Sequence, residues 1–458
     1  MTVTVTDHDE QQFRRLSPLT PVARAPIVLL AVVGTSWQQL VSQGLGASAL
    51  VLGALFVAGG VYGVASWMRT KYWIAGDELR IDTGVVVRQS RRIRIDRLQG
   101  IDIVQPLVAR LMGLAELKFD VASGSDREGS LAFLPHREAL ELRAALLERR
   151  DALRDEPRDA SPAGPPAAQA AAREVRLATL RLGPLLGSLL LSTETLLMVL
   201  SGVALAVTFV LTGAFLLAGG IAPALLALAL ALGRKLTSYY GFTLSDTLAG
   251  LHVRRGLTSL SSQTIARARI QGLLVTEPLL WRPFGWARLD VSVAGYQSSS
   301  DPDGAQASST LMPVAPRAEV DALVRHVLGR DVAGVRLSAP PRRARWLAPL
   351  SAWTMAVGQD EELLVARRGF WHRRLDIVPQ ARVQSVRLTR GPLQRRLRLA
   401  DVVVDSPPGP VRLVAEVRDE AEARALLEQA VRLSRSARRG PAQPQAVPLS
   451  SDPPETTQ

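Results

Sequence analysis

Two long windows of this chain carry almost no charge, and they limit its fold more than any other feature. No Asp, Glu, Lys or Arg stands between Arg24 and Arg69, and between Gly183 and Gly233 the charged residue is Glu194 alone. A helix needs about 20 apolar residues to cross about 30 Å of hydrocarbon. Each window can hold two such helices, so the sequence predicts two membrane hairpins, over residues 26–68 and 181–233.

The first window leaves an alternative open. Its two apolar runs, 27–41 and 47–68, are separated by a short Gly/Ser/Gln stretch. The earlier run is diluted by four polar residues, Thr35, Ser36, Gln38 and Gln39. A re-entrant or interfacial helix would also fit that run.

Cationic residues flank both windows. They are Arg14, Arg15, Arg24, Arg69 and Lys71 around the first, and Arg173, Arg176, Arg181, Arg234 and Lys235 around the second. Since cationic flanks stay in the cytoplasm, the pattern predicts a multi-pass protein of the cell membrane with both termini and all soluble segments inside. The net charge of +13 favours anionic partners, chiefly lipids of the inner leaflet. Nucleic acid ranks last, because only 5% of residues are aromatic and could stack on bases.

Outside the windows, one pattern occurs three times. In each copy a glycine stands the same number of residues before a glutamine, and an arginine lies two before that glutamine. The residues are Gly84, Arg97 and Gln99, then Gly256, Arg269 and Gln271, then Gly369, Arg382 and Gln384. A Pro-Leu-x-x-Arg motif follows each time, at Pro106, Pro278 and, after one inserted residue, Pro392. The first two copies then share Gly113 and Gly285, which the third lacks.

The copies also share a predicted order of elements. Runs with period-two alternation predict strands, at 78–82, 117–121 and 289–293. Each copy ends in an amphipathic helix, predicted at 136–150, 317–329 and 418–433. Strands followed by one helix predict an α+β class: membrane α-helical hairpins bearing three small antiparallel barrels or sandwiches, each closed by a C-terminal helix.

The predicted domain boundaries follow from these patterns. The modules span 69–150, 234–330 and 346–435; the linkers span 151–180 and 331–345; the tails span 1–25 and 436–458. The third module has no membrane window of its own. Residues 346–357 are apolar but too short to cross, so they form either an interfacial segment or the first strand of that module.

The repeated signature, preceded by a helical hairpin, resembles the bacterial pleckstrin-homology-like membrane proteins, and most closely the longer members with three modules. The second copy, GLTSLSSQTIARARIQGLLVTEPLLWRPFGWARLDV from Gly256, carries the clearest match, whereas the third departs by its inserted residue and missing hairpin. The resemblance implies a pleckstrin-homology-like barrel with a C-terminal helix. It implies no catalytic residues and no cofactor.

The residues themselves also predict no enzyme. The five histidines are dispersed without metal-ligand spacing, and the sequence contains no phosphate-binding loop, nucleophile elbow or paired His–Glu motif. We therefore expect no catalytic, cofactor-binding or metal-binding residues.

The arginines have two interpretations. The repeated arginine and glutamine, if they lie on one strand, share a face and hydrogen-bond a turn or sheet edge; alternatively they bind an anionic headgroup. The spacing favours the structural interpretation. Two denser basic patches either attract anionic lipid or contact a partner, and they are Arg88, Arg91, Arg92 and Arg94 in the first copy and Arg367, Arg368, Arg373 and Arg374 in the third.

Two functional hypotheses follow. The first is a non-enzymatic scaffold that presents three cytoplasmic modules to protein partners or to other copies of itself. The alternative is a transporter or export protein built from the four helices, for which Glu194 would supply the intramembrane charge.

Overall fold

The computed structural model describes residues 14–15, scattered positions between 53 and 69, and residues 70–84, 88–121, 129–153, 175–212, 229–247, 250–294, 309–407 and 409–439. These residues form two compact units. The first comprises the described residues up to Ile270 together with Leu280–Leu323, and the second comprises Gln271–Leu279 with the described residues from Val324 onward. The predicted hairpin over 26–68 lies almost wholly outside the described residues.

The first repeat folds as small antiparallel sheets closed by a helix. Its elements are β1 (Arg14–Arg15), β2 (Lys71–Ala75), β3 (Glu78–Thr83), β4 (Gln89–Arg94), a 3-10 turn (Ile95–Arg97), β5 (Leu98–Pro106), α1 (Leu107–Leu111), β6 (Leu114–Val121), β7 (Gly129–Pro135) and α2 (His136–Leu153). Alternating residues of both sheets bury their apolar side chains in one core, which α2 covers with Leu146 and which includes Tyr72, Leu98 and Phe119.

The second repeat has the same order of elements around a long apolar insertion. Its elements are β8 (Val175–Thr179), α3 (Leu182–Leu190), α4 (Thr193–Thr212), a helix over residues 229–239, β9 (Thr243–Thr247), β10 (Gly250–Arg255), β11 (Ser259–Ile265), a 3-10 turn (Arg267–Arg269), β12 (Ile270–Pro278), a 3-10 helix (Leu279–Phe284), β13 (Trp286–Val293), β14 (Thr310–Pro316) and α5 (Arg317–Leu328).

The third repeat lacks a long insertion. Its elements are a 3-10 turn (Arg342–Trp346), β15 (Ala356–Gln359), β16 (Leu363–Arg368), β17 (His372–Pro379), a 3-10 turn (Gln380–Arg382), β18 (Ser385–Thr389), α6 (Pro392–Arg396), β19 (Leu399–Asp405), β20 (Val414–Asp419) and α7 (Glu420–Arg439). Its core again joins two sheets and the closing helix, with Val378, Val402 and Ala423 among the buried residues.

A pair of antiparallel strands closes the base of each insertion. β1 pairs with β2 at Tyr72, and β8 pairs with β9 at Leu244. In the third repeat a single bridge joins Ser338 to Val357. Tyr72, Leu244 and Val357 stand at the same distance before the repeat glycine of their own copy. The chain therefore leaves and re-enters each repeat at an equivalent point.

Neighbouring repeats pair through the edges of their sheets. Within the first unit, β5 of the first repeat pairs with β11 of the second, with Gln105 opposite Leu260. Within the second unit, β12 of the second repeat pairs with β17 of the third, with Glu277 opposite Arg373. Counted from the repeat glycines and glutamines, the two pairings have the same register. Because β12 pairs in this way, it belongs to the second unit although its sequence belongs to the second repeat.

The structure confirms the predicted antiparallel α+β character. The predicted strands lie inside β3, β6 and β13, and the predicted closing helices overlap α2, α5 and α7. Within the predicted linkers, β8 occupies part of 151–180, and two 3-10 turns, Val332–Gly334 and Arg342–Trp346, overlap 331–345. The predicted C-terminal tail is also too long, since α7 continues to Arg439.

One helix among the described residues, α4, is long and apolar enough to cross a membrane. Its segment Thr195–Thr212 has a mean hydropathy of 2.3, and only 6% of it is buried. Val210 and Leu211 are each 78% exposed. Apolar surface of this extent is costly to expose to water. The side chain of Glu194 and residues 213–228 of the predicted second hairpin lie outside the described residues.

Candidate functional site: the repeat signature and an open sheet edge

The repeat glycine is required by backbone geometry. Gly84, Gly256 and Gly369 have φ angles of 110°, 103° and 88°, a region that side chains rarely adopt. A Cβ atom on Gly256 would lie 2.0 Å from the carbonyl oxygen of Ser259, and one on Gly369 would lie 2.2 Å from that of His372. The glycine therefore has a structural role, as a turn in which the backbone approaches itself closely.

The repeat arginine lies on a 3-10 turn and does not share a strand with the glutamine, which the structural interpretation had assumed. Arg97, Arg269 and Arg382 each end such a turn. In the second copy the Nε and Nη2 atoms of Arg269 donate to the carbonyl oxygen of Ala294, at 3.1 and 2.6 Å. The amide of Ala294 donates back to the carbonyl of Arg269 at 2.9 Å. This reciprocal contact supports the structural interpretation of the arginine in that copy.

The repeat glutamines have no common environment. Gln271 is buried, whereas Gln384 is exposed, and the side chain of Gln99 lies outside the described part of the chain. A ligand shared by all three copies would need the same polar group at the same depth. The two described glutamines therefore indicate no shared ligand site.

The basic patch of the third repeat is engaged within the second unit. Arg368 pairs with the buried Asp376 at 3.1 Å and with Glu416 at 3.5 Å. Burial raises the pKa of Asp376 above its usual value, although the Arg368 guanidinium lowers it. Burial likewise raises the pKa of Glu416.

The other three arginines of this patch also have partners within the second unit. Arg367 Nε donates to the carbonyl oxygen of Thr354 at 2.9 Å, and Arg374 Nη2 donates to that of Pro410 at 2.9 Å. Arg373 pairs with Glu277 at 3.5 Å, across the β12–β17 pairing. These contacts favour a structural role for the third patch.

The basic patch of the first repeat differs. Arg94 is paired with Asp96, with Nε–Oδ1 and Nη2–Oδ2 distances of 3.1 and 2.9 Å. Arg88 and Arg92 are exposed and Arg91 is half-buried. Within the residues that the structure describes, these three arginines make no ion pair, so their charge is available to an outside partner.

The strand β4 that carries this patch is the last of its sheet, which has the order β1-β2-β3-β4. Its equivalents β11 and β17 each have a strand of the preceding repeat along the corresponding edge. Among the described strands, none lies along the edge of β4. An open edge presents backbone N–H and C=O groups to which another strand can bind. The sequence marked these arginines by charge but could not show the edge, which depends on the sheet order.

The second repeat fixes the base of its insertion with two tryptophans. Trp281 Nε1 donates to the carbonyl oxygen of Ser188, in α3, at 3.2 Å. Gly187, also in α3, lies against Trp286, because a Cβ atom there would be 2.7 Å from the indole ring. Helix α3, which precedes α4 in the chain, is thus packed against Trp281 and against Trp286 at the start of β13.

A buried polar cluster holds the far end of the same insertion. Arg288 Nε contacts Asp290 Oδ1 at 2.9 Å, and Arg288 Nη2 donates to Thr310 Oγ1 at 2.7 Å. Burial alone would lower the pKa of Arg288, but the Asp290 carboxylate and Tyr239 raise it above its ordinary value. Since Tyr239 ends the helix over residues 229–239, this cluster links the end of the insertion to β13.

Small antiparallel sheets closed by one C-terminal helix, in three copies, define a pleckstrin-homology-like class of module. The model of the bacterial PH domain family matches residues 25–150, 185–331 and 332–433. Because these segments cover most of the chain, the protein belongs to the bacterial PH domain family. This confirms the family that the repeated signature resembled.

One curated relative shares part of this sequence. The UPF0699 transmembrane protein YdbT of Bacillus subtilis (strain 168) is 31% identical to this chain over 103 residues. The alignment covers 22% of this chain and 21% of that protein, so the match spans about a fifth of the relative's length.

Proposed function

We propose that this protein is a non-enzymatic, multi-pass membrane protein whose cytoplasmic PH-like repeats form an interaction platform. The observation that carries the proposal is the open edge of β4. In the two later repeats the equivalent edge is filled by a strand, and in the first repeat it is not filled by any described strand.

The strand pairs at the base of the insertions support the membrane hairpins. The amide of Leu180 donates to the carbonyl oxygen of Phe242 at 3.1 Å, so the two ends of the second insertion lie side by side. A segment that leaves and returns at one point crosses a bilayer an even number of times. Helix α4 supplies one crossing, and the apolar residues that end in the helix over 229–239 supply the return. The arginine-rich flanks of both windows favour a cytoplasmic position of the repeats.

The filled edge of β17 indicates what the open edge would bind. An extended segment adds to a sheet edge through main-chain hydrogen bonds, and its side chains supply the specificity. Arg88 stands at the same distance after its repeat glycine as Arg373, which faces Glu277. The partner is therefore an extended segment, apolar like β12, with a carboxylate opposite Arg88.

A second copy of this chain fits the open edge less well. Its β18 is the counterpart of β12 and, among the described strands, is also the last of its sheet. The register of the other two pairings would set Arg387 opposite Arg91. Like charges directly opposite each other destabilise a strand pair. The platform is therefore proposed to bind a different protein.

The test uses a fluorescent peptide with the sequence of residues 270–279, which contains β12 and Glu277. Its affinity is measured by anisotropy for the full chain in nanodiscs. Arg88→Glu is expected to weaken binding about tenfold, since a favourable charge pair becomes repulsive. A peptide with arginine in place of the glutamate should restore binding to Arg88→Glu. Arg149→Glu, on the exposed surface of α2, is the matched control and should leave the affinity unchanged.

Two results would contradict the proposed platform. One is the absence of saturable peptide binding to the wild-type chain. The other is an equal loss of affinity in Arg88→Glu and Arg149→Glu, which would mean that the net charge of the protein, and not Arg88 in particular, determines peptide binding.

A further inference from the structure

The third repeat has a short segment where the first two repeats have their apolar windows. Residues 339–356 lie between Ser338 and Val357, which form the bridge equivalent to the β1–β2 and β8–β9 pairings. The segment is far too short to cross a bilayer and return. It contains the 3-10 turn Arg342–Trp346 and continues through further turns to β15.

This segment exposes large apolar side chains. Trp346 is 84% exposed, Leu350 60% and Trp353 61%. The turn between β16 and β17 adds Phe370 and Trp371, and Trp371 is 62% exposed. The ring centroids of Trp353 and Phe370 are 5.9 Å apart, and those of Phe370 and Trp371 are 5.4 Å apart. We call these five residues the aromatic patch.

The composition of the patch matches the headgroup region of a bilayer. Exposed apolar clusters of this kind mark interaction sites, because single exposed apolar residues are common but groups of them are not. Tryptophan is enriched where a protein meets the membrane–water interface, since its ring is apolar and its N–H is polar. Arg342 and Arg345 are both exposed and belong to the same 3-10 turn as Trp346, so they would meet anionic headgroups.

We infer that the aromatic patch inserts into the headgroup region of the anionic cytoplasmic leaflet, so that the third repeat contacts the bilayer without crossing it. The inference rests on the proposed membrane location and adds a lipid contact that this location does not require. The equivalent position of the two apolar windows favours lipid as the occupant. A protein that covers the patch is the competing occupant, and the test separates the two.

The test uses spin labels, for which the chain is suited because it contains no cysteine. Single variants Leu350→Cys, Val207→Cys and Ser436→Cys place a nitroxide in the patch, in α4 and on the exposed side of α7. Labelling at Leu350 leaves the three tryptophans in place. The full chain is reconstituted in vesicles with anionic lipid, and the accessibility of each label to oxygen and to a water-soluble nickel chelate is measured.

The label at position 350 should be at least fivefold less accessible to the nickel chelate than the label at 436, while remaining accessible to oxygen. Equal nickel accessibility at 350 and 436 would overturn the inference. Low accessibility to both reagents at 350 would also overturn it, because protein rather than lipid would cover the patch. If the label at 207 were itself accessible to nickel, the proposed membrane location would fail first.

Discussion

At the scale of single residues, Arg398 occupies a backbone position that the other two repeats give to glycine. Gly113 and Gly285 precede β6 and β13 with φ angles of 69° and 63°, and Arg398 precedes β19 with φ at 52°. The third repeat thus keeps the left-handed turn without the residue that adopts it most easily. A left-handed conformation costs a side-chain-bearing residue about 1–2 kcal/mol.

We expect Arg398→Gly to raise the free energy of unfolding by up to about 1 kcal/mol, because the relief of strain exceeds the added freedom of the unfolded chain. Arg398→Ala is the control and should bring no comparable gain, since alanine keeps the Cβ atom. Thermal unfolding of the full chain in detergent measures both changes. A glycine variant that unfolds at a lower temperature than the wild type would show that the turn is not strained.

The pair Asp376 and Glu416 makes the second unit sensitive to pH. Burial raises the pKa of both carboxyl groups above the values they have in the unfolded chain. The folded state therefore binds protons more tightly than the unfolded state. The stability that these groups contribute is full below about pH 4 and is lost as the pH rises through their folded pKa values.

We expect wild-type stability, relative to an Asp376→Asn/Glu416→Gln variant, to fall as the pH increases from about 4 to 7. The comparison cancels the pH dependence contributed by carboxylates that both proteins contain. One of these is Glu420, whose pKa is lowered by the neighbouring Arg390 and Arg424. Unfolding midpoints at a series of pH values give the difference. A difference that stays constant, or grows with pH, would contradict the assigned direction.

At the scale of elements, α3 ties the apolar insertion to the second repeat. The tie depends on Gly187, whose missing side chain lets the helix approach Trp286. Gly183, one turn earlier on the same helix, has no atom within 4 Å of where a Cβ would stand. Substitutions at Gly187 and Gly183 can therefore be compared within one helix, the first at a packed position and the second at an open one.

We expect Gly187→Leu to lower the free energy of unfolding by about 1–3 kcal/mol, since the leucine would displace the indole ring. Gly183→Leu should be close to neutral by the same measurement. Thermal unfolding followed by tryptophan fluorescence reports the change. Equal stability of the two leucine variants would mean that α3 does not pack against the sheet as described.

The elements also show which parts of the structure could be predicted from sequence. Strand alternation and the amphipathic closing helices are local patterns, so β3, β6 and α7 were predictable. The partner of β8 lies beyond the insertion, and no local pattern identifies it, so residues 175–179 were predicted as linker. The 3-10 turns were missed because the spacing of Arg269 and Gln271 fits a strand equally well.

At the scale of the whole molecule, the proposed membrane topology depends on how each apolar insertion begins and ends. The repeated pairing closes the base of both apolar insertions, at Tyr72 and Leu244, and of the short segment of the third repeat, at Val357. The charge pattern was enough to predict the apolar windows and a membrane orientation. It was not enough to distinguish the roles of the two basic patches, because that distinction depends on where each patch lies in its sheet. In the structure, Arg88 lies next to an open sheet edge, whereas Arg373 lies on an edge that another strand fills.

The most direct test of this account is the sidedness of the second insertion. Single cysteines at Arg181, Gly219 and Ser238 are probed in intact cells with a membrane-impermeant maleimide. We predict labelling at position 219 from outside, and labelling at positions 181 and 238 only after the cells are opened. Labels at 181 and 238 that react from opposite sides of the membrane would contradict the hairpin and the platform built on it.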